Sequence, residues 1–122
     1  DFTLSGNRFI PQEEELFRIL REEDPRLVLL DSPNNPTGTP LDPKFLIQAA
    51  LSTKAPLLVD EAYADFHSSS MLELWKTGEL PQNMLFLRTL SKAWGMAGLR
   101  LGFVVGSREM VDSSTAFEAP ST

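Results

Sequence analysis

The amino-acid sequence predicts an α/β fold with a mostly parallel sheet and flanking helices. Short apolar runs of strand length alternate along the chain with segments of helical periodicity, a pattern typical of α/β layers. Polar residues follow the apolar runs directly, and ligands bind at the carboxyl ends of strands in open α/β sheets. The predicted fold class therefore also indicates where a functional site should lie.

Helical periodicity predicts two main helices and two shorter segments. A first helix is expected over residues 11–23, because Pro11 suits a first helical position and three glutamates follow it. A second is expected over residues 42–52, opened by Asp42 and Pro43. Its buried side should consist of Phe45, Leu46, Ala49 and Ala50. Shorter helices are expected at residues 72–75 and 109–117.

Four apolar runs predict the strands of the sheet, at residues 27–30, 57–59, 84–87 and 101–105. The first is continuously apolar, which indicates burial on both faces. The segment Ser32–Pro40 after it is rich in proline and asparagine and is predicted to be a loop. The second run leads directly into Asp60 and Glu61, and the third into a segment that ends at Lys92.

Composition and charge exclude several classes of function. The 122 residues suffice for one modest core, and the net charge of −6 with dispersed basic residues disfavours a nucleic-acid surface. The absence of cysteine excludes disulfides, zinc-thiolate sites and cysteine nucleophiles. No apolar run has the length of a membrane span, and no signal-peptide pattern is seen. We therefore expect a cytoplasmic protein with no nucleic-acid, membrane or metal partner.

Four polar segments stand out after the strands. They are Pro-Asn-Asn-Pro-Thr-Gly at 33–38, Asp-Glu-Ala-Tyr at 60–63, Thr-Leu-Ser-Lys at 89–92 and Ala-Gly-Leu-Arg-Leu-Gly at 97–102. Each alone has a common structural explanation: a turn, a helix cap, a solvated lysine or a surface arginine. All four together, in this order and at three strand ends, indicate one shared site.

Together these segments resemble the class I and II aminotransferases of fold type I, and most closely the histidinol-phosphate branch of that family. The closer match rests on two stretches, residues 59–66 and 87–100, and the resemblance extends from about Leu27 to Arg108. It implies that residues 1–122 are part of a large domain that binds pyridoxal 5′-phosphate. An N-terminal segment and a C-terminal small domain of such enzymes have no counterpart here.

The resemblance implies roles for individual side chains. Lys92 would hold the cofactor as a Schiff base and move the substrate proton, and Asp60 would pair with the protonated pyridine nitrogen. With Tyr63, these are the expected catalytic residues. The further cofactor contacts are donors: Asn35 and Tyr63 to the ring oxygen, and Arg100, Ser91 and Thr89 to the phosphate. Glu61 and Asp65 are expected to be structural.

Family membership would also imply a homodimer and a small-molecule substrate. The expected reaction moves an amino group between a donor such as histidinol phosphate or glutamate and a 2-oxo acid or ketone. The arginine for the substrate carboxylate and the aromatic residue stacked on the cofactor lie outside this chain, so the isolated chain is expected to be inactive. Open alternatives are an aromatic aminotransferase, a threonine-phosphate decarboxylase, a β-lyase and a non-catalytic remnant. A nucleotide-binding module is disfavoured, because no glycine-rich phosphate loop follows the first strand.

Overall fold

The computed structural model describes residues 4–5, 10–68 and 70–115 of the chain. The elements in chain order are β1 (Leu4–Ser5), β2 (Ile10–Pro11), α1 (Glu13–Glu22), β3 (Val28–Asp31), α2 (Pro43–Leu51), β4 (Leu57–Asp60), α3 (Met71–Thr77), β5 (Met84–Thr89), β6 (Gly102–Gly106) and α4 (Arg108–Thr115). Single turns of 3₁₀-helix lie at Ala64–Phe66 and Ala97–Leu99. Among these described residues, no helix has both the length and the apolar character needed to span a bilayer.

The main sheet has four strands in the order β3-β4-β5-β6. Strands β3, β4 and β5 are parallel, and their register places Asp31, Asp60 and Leu87 side by side. Strand β6 is antiparallel to β5 and pairs Gly102 with Thr89. The predicted α/β class with a mostly parallel sheet is confirmed. Strands β1 and β2 form a separate two-stranded sheet.

The core lies between one face of the sheet and the helices. Burial alternates along β3 and β4, so every second side chain points into this core. Beyond β3, its members come from three helices and two strands: Leu16 and Leu20 of α1, Phe45, Leu46, Ala49 and Ala50 of α2, Met71 of α3, Leu57 and Val59 of β4, and Met84 and Phe86 of β5. Full burial of one such large side chain contributes about 1.5–3 kcal/mol, so this layer fixes the strand positions.

Two predictions for the first part of the chain are wrong. Pro11 is not helical: it pairs with Leu4 in the small sheet, and α1 begins two residues later at Glu13. Strand β3 is not buried on both faces either. Leu29 is 64% exposed although Val28 and Leu30 are buried, so in the described part of the chain β3 buries only its helix-facing side.

The predictions for α2 and α3 are confirmed. The side chain of Asp42 accepts a hydrogen bond from the Lys44 amide at 2.7 Å and caps α2, and its four predicted core residues are buried. Helix α3 ends at Gly78, whose φ of 77° is the left-handed conformation that favours glycine. Helix α4 is also found, while residues 116–117 of its predicted range lie outside the described residues.

Asn83 joins the end of α2 to the start of β5. Its Nδ2 donates to the carbonyl oxygens of Ala50, Thr53 and Ala55 at 2.9, 3.1 and 2.9 Å. One side-chain amide thus satisfies three carbonyls where the chain leaves the helix and enters β4. These hydrogen bonds fix the amino-terminal ends of β4 and β5 relative to the end of α2.

Substitution of Asn83 by alanine should lower the free energy of unfolding by about 1–3 kcal/mol, because these partly buried carbonyls lose their donor. Urea denaturation of the chain measures this. The neighbouring Gln82, which is exposed, provides the matched control: Gln82→Ala should change stability by less than about 0.5 kcal/mol. Equal effects of the two substitutions would contradict the assigned role.

Candidate active site

Asp60 lies at the carboxyl end of β4, beside the end of β5. The side chain is half-buried, and its Oδ1 accepts a hydrogen bond from the Ala62 amide at 2.9 Å. Among the described residues, nothing donates to the second carboxylate oxygen, Oδ2. The sheet edge therefore carries a carboxylate that is oriented on one side and available on the other.

Lys92 and Tyr63 meet at the same edge. The Lys92 Nζ lies 5.3 Å from the centroid of the Tyr63 ring, within the range of a cation–π interaction. Tyr63 directly precedes the 3₁₀ turn Ala64–Phe66, and the backbone Phe66 N–H donates to the Tyr63 carbonyl at 3.1 Å. Lys92 itself is exposed. The structure thus brings together two of the three predicted catalytic residues.

Lys92 lies in the connection between β5 and β6, residues 90–101, which we call the lysine loop. The loop closes on itself: the Leu90 amide donates to the Leu101 carbonyl at 3.2 Å, and the Met96 amide donates to the Leu90 carbonyl at 3.1 Å. A tight turn follows the lysine, in which the Gly95 amide donates to the Lys92 carbonyl at 3.1 Å. The backbone that carries Lys92 is therefore held from both ends.

Thr89 and Ser91 occupy the start of this loop. The Thr89 hydroxyl donates to the Leu101 carbonyl at 3.2 Å and accepts from the Ser91 amide at 3.1 Å. Thr89 was predicted to donate its hydroxyl proton to the phosphate, but in the structure this proton is donated to the backbone of the loop. The Ser91 hydroxyl makes no hydrogen bond to another described residue, so of the two it is the more available donor.

Arg100 follows the 3₁₀ turn Ala97–Leu99 and has a left-handed backbone with φ of 52°. Its side chain is exposed and forms no ion pair within the described ranges. Because the next residue, Leu101, bonds to Leu90 and Thr89, Arg100 leaves the loop at the same sheet edge as Ser91. An unpaired guanidinium at this edge is suited to an anionic group.

Asn35 lies in the turn after β3. Its amide donates to the Asp31 carboxylate at 3.2 Å, and the Asn34 side chain donates to the same oxygen at 2.8 Å. A cavity of about 240 Å³ is lined by this turn, including Asn35, and by Tyr63 and Phe66. Neither Asp60, Lys92 nor Arg100 lines it. The cavity therefore reaches Tyr63, the neighbour of the Lys92 amine, but is not lined by the amine or by the Asp60 carboxylate.

A polar network without a predicted function lies next to these residues. Glu61 is only 3% exposed, and its carboxylate accepts from the Met71 amide at 2.6 Å, the Ser70 hydroxyl at 3.0 Å and Arg88 Nη1 at 3.2 Å. Sequence reasoning assigned Glu61 a structural role and gave Arg88 none. Arg88 could have been singled out from the sequence, because it is a charged residue that directly follows the apolar residues 84–87. A charged side chain that becomes buried at such a position requires a partner.

Comparison with known proteins agrees with the resemblance seen in the sequence. A family model described as "Aminotransferase class I and II" matches residues 10–122. The histidinol-phosphate aminotransferase of Thermococcus gammatolerans is 39% identical over 98% of this chain and 32% of its own length. This chain thus spans about a third of that relative.

Two solved structures show the same fold. The histidinol-phosphate aminotransferase of Sinorhizobium meliloti, in complex with pyridoxal-5′-phosphate, has a TM-score of 0.74 and 25% identity over 88% of this chain and 30% of its own. Aminotransferase AspB of Helicobacter pylori has a TM-score of 0.72 and 34% identity over 95% of this chain and 33% of its own. The chain therefore belongs to the aminotransferase class I and II family.

Proposed function

We propose that this chain forms the cofactor-binding centre of a pyridoxal-phosphate-dependent aminotransferase, with Lys92 as the residue that holds the cofactor. The observation that carries the proposal is the position of the Lys92 amine over the Tyr63 ring, at the sheet edge where Asp60 ends the neighbouring strand. Because the chain spans about a third of the relative it matches, the activity is proposed for the complete protein.

The available side chains fit the chemical groups of this cofactor. Its phosphate needs a bidentate cation and hydroxyl donors, which Arg100 and Ser91 offer without competing partners in the described part of the chain. The pyridine nitrogen needs a carboxylate, and the Oδ2 of Asp60 accepts no hydrogen bond from another described residue. The ring oxygen needs donors, which Asn35 and Tyr63 provide. Thr89 supports this set through the backbone of Ser91.

When bound, the cofactor would supply the electron sink that allows an amino group to be exchanged for a carbonyl oxygen. The side chains of this chain would hold the cofactor in position and transfer protons beside it. Lys92 Nζ accepts a proton as a neutral amine and returns it as an ammonium, and the Tyr63 ring holds the ammonium electrostatically. The Asp60 carboxylate is held in place at the sheet edge, since its Oδ1 accepts a hydrogen bond from the Ala62 amide.

The substrate proposed is an amino-alcohol phosphate of the histidinol phosphate type, with glutamate and its 2-oxo acid as the partner pair. Support comes from the name of the Thermococcus relative and from its 39% identity over nearly the whole chain. The proposal places the enzyme in histidine biosynthesis, as a homodimer. A cytoplasmic location accords with the cysteine-free composition, because cytosolic proteins do not depend on disulfides.

A second candidate is an aminotransferase for an ordinary amino acid, favoured by the 34% identity to AspB of Helicobacter pylori. Both candidates use the same lysine, aspartate and arginine, so the residues described above do not separate them. The amino-donor specificity of the complete enzyme distinguishes the two candidates. Preferential turnover of histidinol phosphate over aspartate supports the first, and the reverse preference supports the second.

Addition of pyridoxal phosphate followed by borohydride should label Lys92, because its amine is exposed at the edge that carries the other donors. Peptide mass spectrometry locates the label. Three other exposed lysines serve as internal controls: Lys44 on α2, Lys54 after α2 and Lys76 on α3. A label found mainly on these three would overturn the assignment of Lys92.

The Asp60→Asn substitution in the complete enzyme should lower kcat/KM by at least about 100-fold, because the carboxylate that stabilises the protonated ring nitrogen is lost. Amino transfer from histidinol phosphate measures the effect. Asp24→Asn is the matched control: Asp24 is exposed, and its left-handed φ of 43° is one that asparagine tolerates. Near-normal turnover of the Asp60 variant would mean that another residue pairs with the ring.

A further inference from the structure

The buried carboxylate of Glu61 anchors the loop that carries Tyr63. Its three donors come from different places: the Met71 amide at the start of α3, the Ser70 hydroxyl and the Arg88 guanidinium on β5. The Ala64 amide also donates to the Glu61 carbonyl at 3.0 Å. Tyr63 therefore lies in a backbone turn whose first residue is fixed to both α3 and β5.

Arg88 extends this anchor toward Asp65. Its side chain is 11% exposed, and Nη1 donates to Glu61 and to the Ser70 hydroxyl, the latter at 2.8 Å. Nη2 donates to Asp65 Oδ1. A planar guanidinium with five donors can satisfy all three acceptors at once, which an ammonium group would do with less directional control. Arg88 thus holds both ends of the segment 61–65.

Asp65 then connects this segment to the lysine loop. Its Oδ2 accepts a hydrogen bond from Trp94 Nε1 at 3.1 Å. Trp94 belongs to the tight turn closed by the Gly95 amide and the Lys92 carbonyl, so a contact at Trp94 fixes the backbone of Lys92. The two carboxylate oxygens of Asp65 therefore hold β5 and the lysine loop against the turn that presents Tyr63.

We propose that Arg88, Asp65 and Trp94 form a positioning relay that keeps the Lys92 amine over the Tyr63 ring, a role that rests on the proposed function of Lys92. The lysine side chain is a flexible four-carbon stem, so the position of Nζ depends on how firmly its backbone is held. The relay fixes both partners of the 5.3 Å contact from the same guanidinium. Arg88, Asp65 and Trp94 are positioning residues and do not touch the reacting atoms.

Trp94 offers a way to separate positioning from folding. Its side chain is 61% exposed, and replacement by phenylalanine removes the Nε1 donor while an aromatic ring remains. Global stability should therefore change little. Trp75, which is 47% exposed on α3 and outside the relay, provides the matched control as Trp75→Phe.

The experiment compares the parent chain with Trp94→Phe, Asp65→Ala, the double variant and Trp75→Phe. Two labels are measured on Lys92 relative to Lys54 in the same sample: pyridoxal phosphate fixed by borohydride, and acetylation by a neutral acylating reagent. Loss of one hydrogen bond to a charged group should lower pyridoxal phosphate labelling by up to about tenfold in Trp94→Phe. Acetylation should rise, because the released amine is more mobile.

The double variant should match Asp65→Ala alone, since Trp94 Nε1 has already lost its acceptor in that single variant. Trp75→Phe should match the parent. Unchanged labelling and acetylation in Trp94→Phe would overturn the relay. So would additive effects, or a rise of both labels together with a lower urea midpoint, which indicates loosened folding. Unselective pyridoxal phosphate labelling of the parent chain would instead overturn the function proposed for Lys92, and the acetylation ratio would still decide the relay.

Discussion

The in-register parallel pairing of β3, β4 and β5 is the constraint on which the rest of the structure depends. Parallel strands end at the same edge of a sheet, so the three loops that follow them must emerge side by side. The core beneath fixes this alignment, because side chains of all three strands are buried in one cluster with residues of α1 and α2. Asn35, Asp60 and Lys92, far apart in sequence, are brought to one edge as a result.

The charged side chains near this edge form two groups: one group is engaged in ion pairs, and the other is exposed and forms none with the described residues. Glu61 is buried and pairs with the largely covered Arg88, because a buried charge requires a partner. Lys92 and Arg100 are exposed and form no ion pair with the described residues. The internal network pairs one set of charges and holds the loops in place, whereas the second set lies exposed at the same edge.

Elements with local signals could be predicted from the sequence, and those that depend on distant partners could not. Helix α2 was predicted with its core face, because Asp42, Pro43 and the apolar spacing all lie within the helix itself. The residues of the candidate site were found through motifs, each contiguous in sequence. The strand position of Pro11 depends on Leu4, the exposure of Leu29 depends on what packs over β3, and the link from Asp65 to Trp94 depends on which loops meet. The local spacing of apolar residues carries no information about such contacts between distant residues.

The antiparallel return of β6 closes the backbone of the lysine loop where the loop leaves and re-enters the sheet. The loop leaves the sheet at Thr89 and re-enters it at Gly102, two residues that face each other across neighbouring strands. Its closing hydrogen bonds, including Leu90 to Leu101 and Met96 to Leu90, lie inside the loop. Grafted onto an unrelated antiparallel strand pair of the same register, the segment would keep its backbone closure but would lose the contact from Trp94 to Asp65, so a new scaffold has to supply an acceptor for Trp94 Nε1.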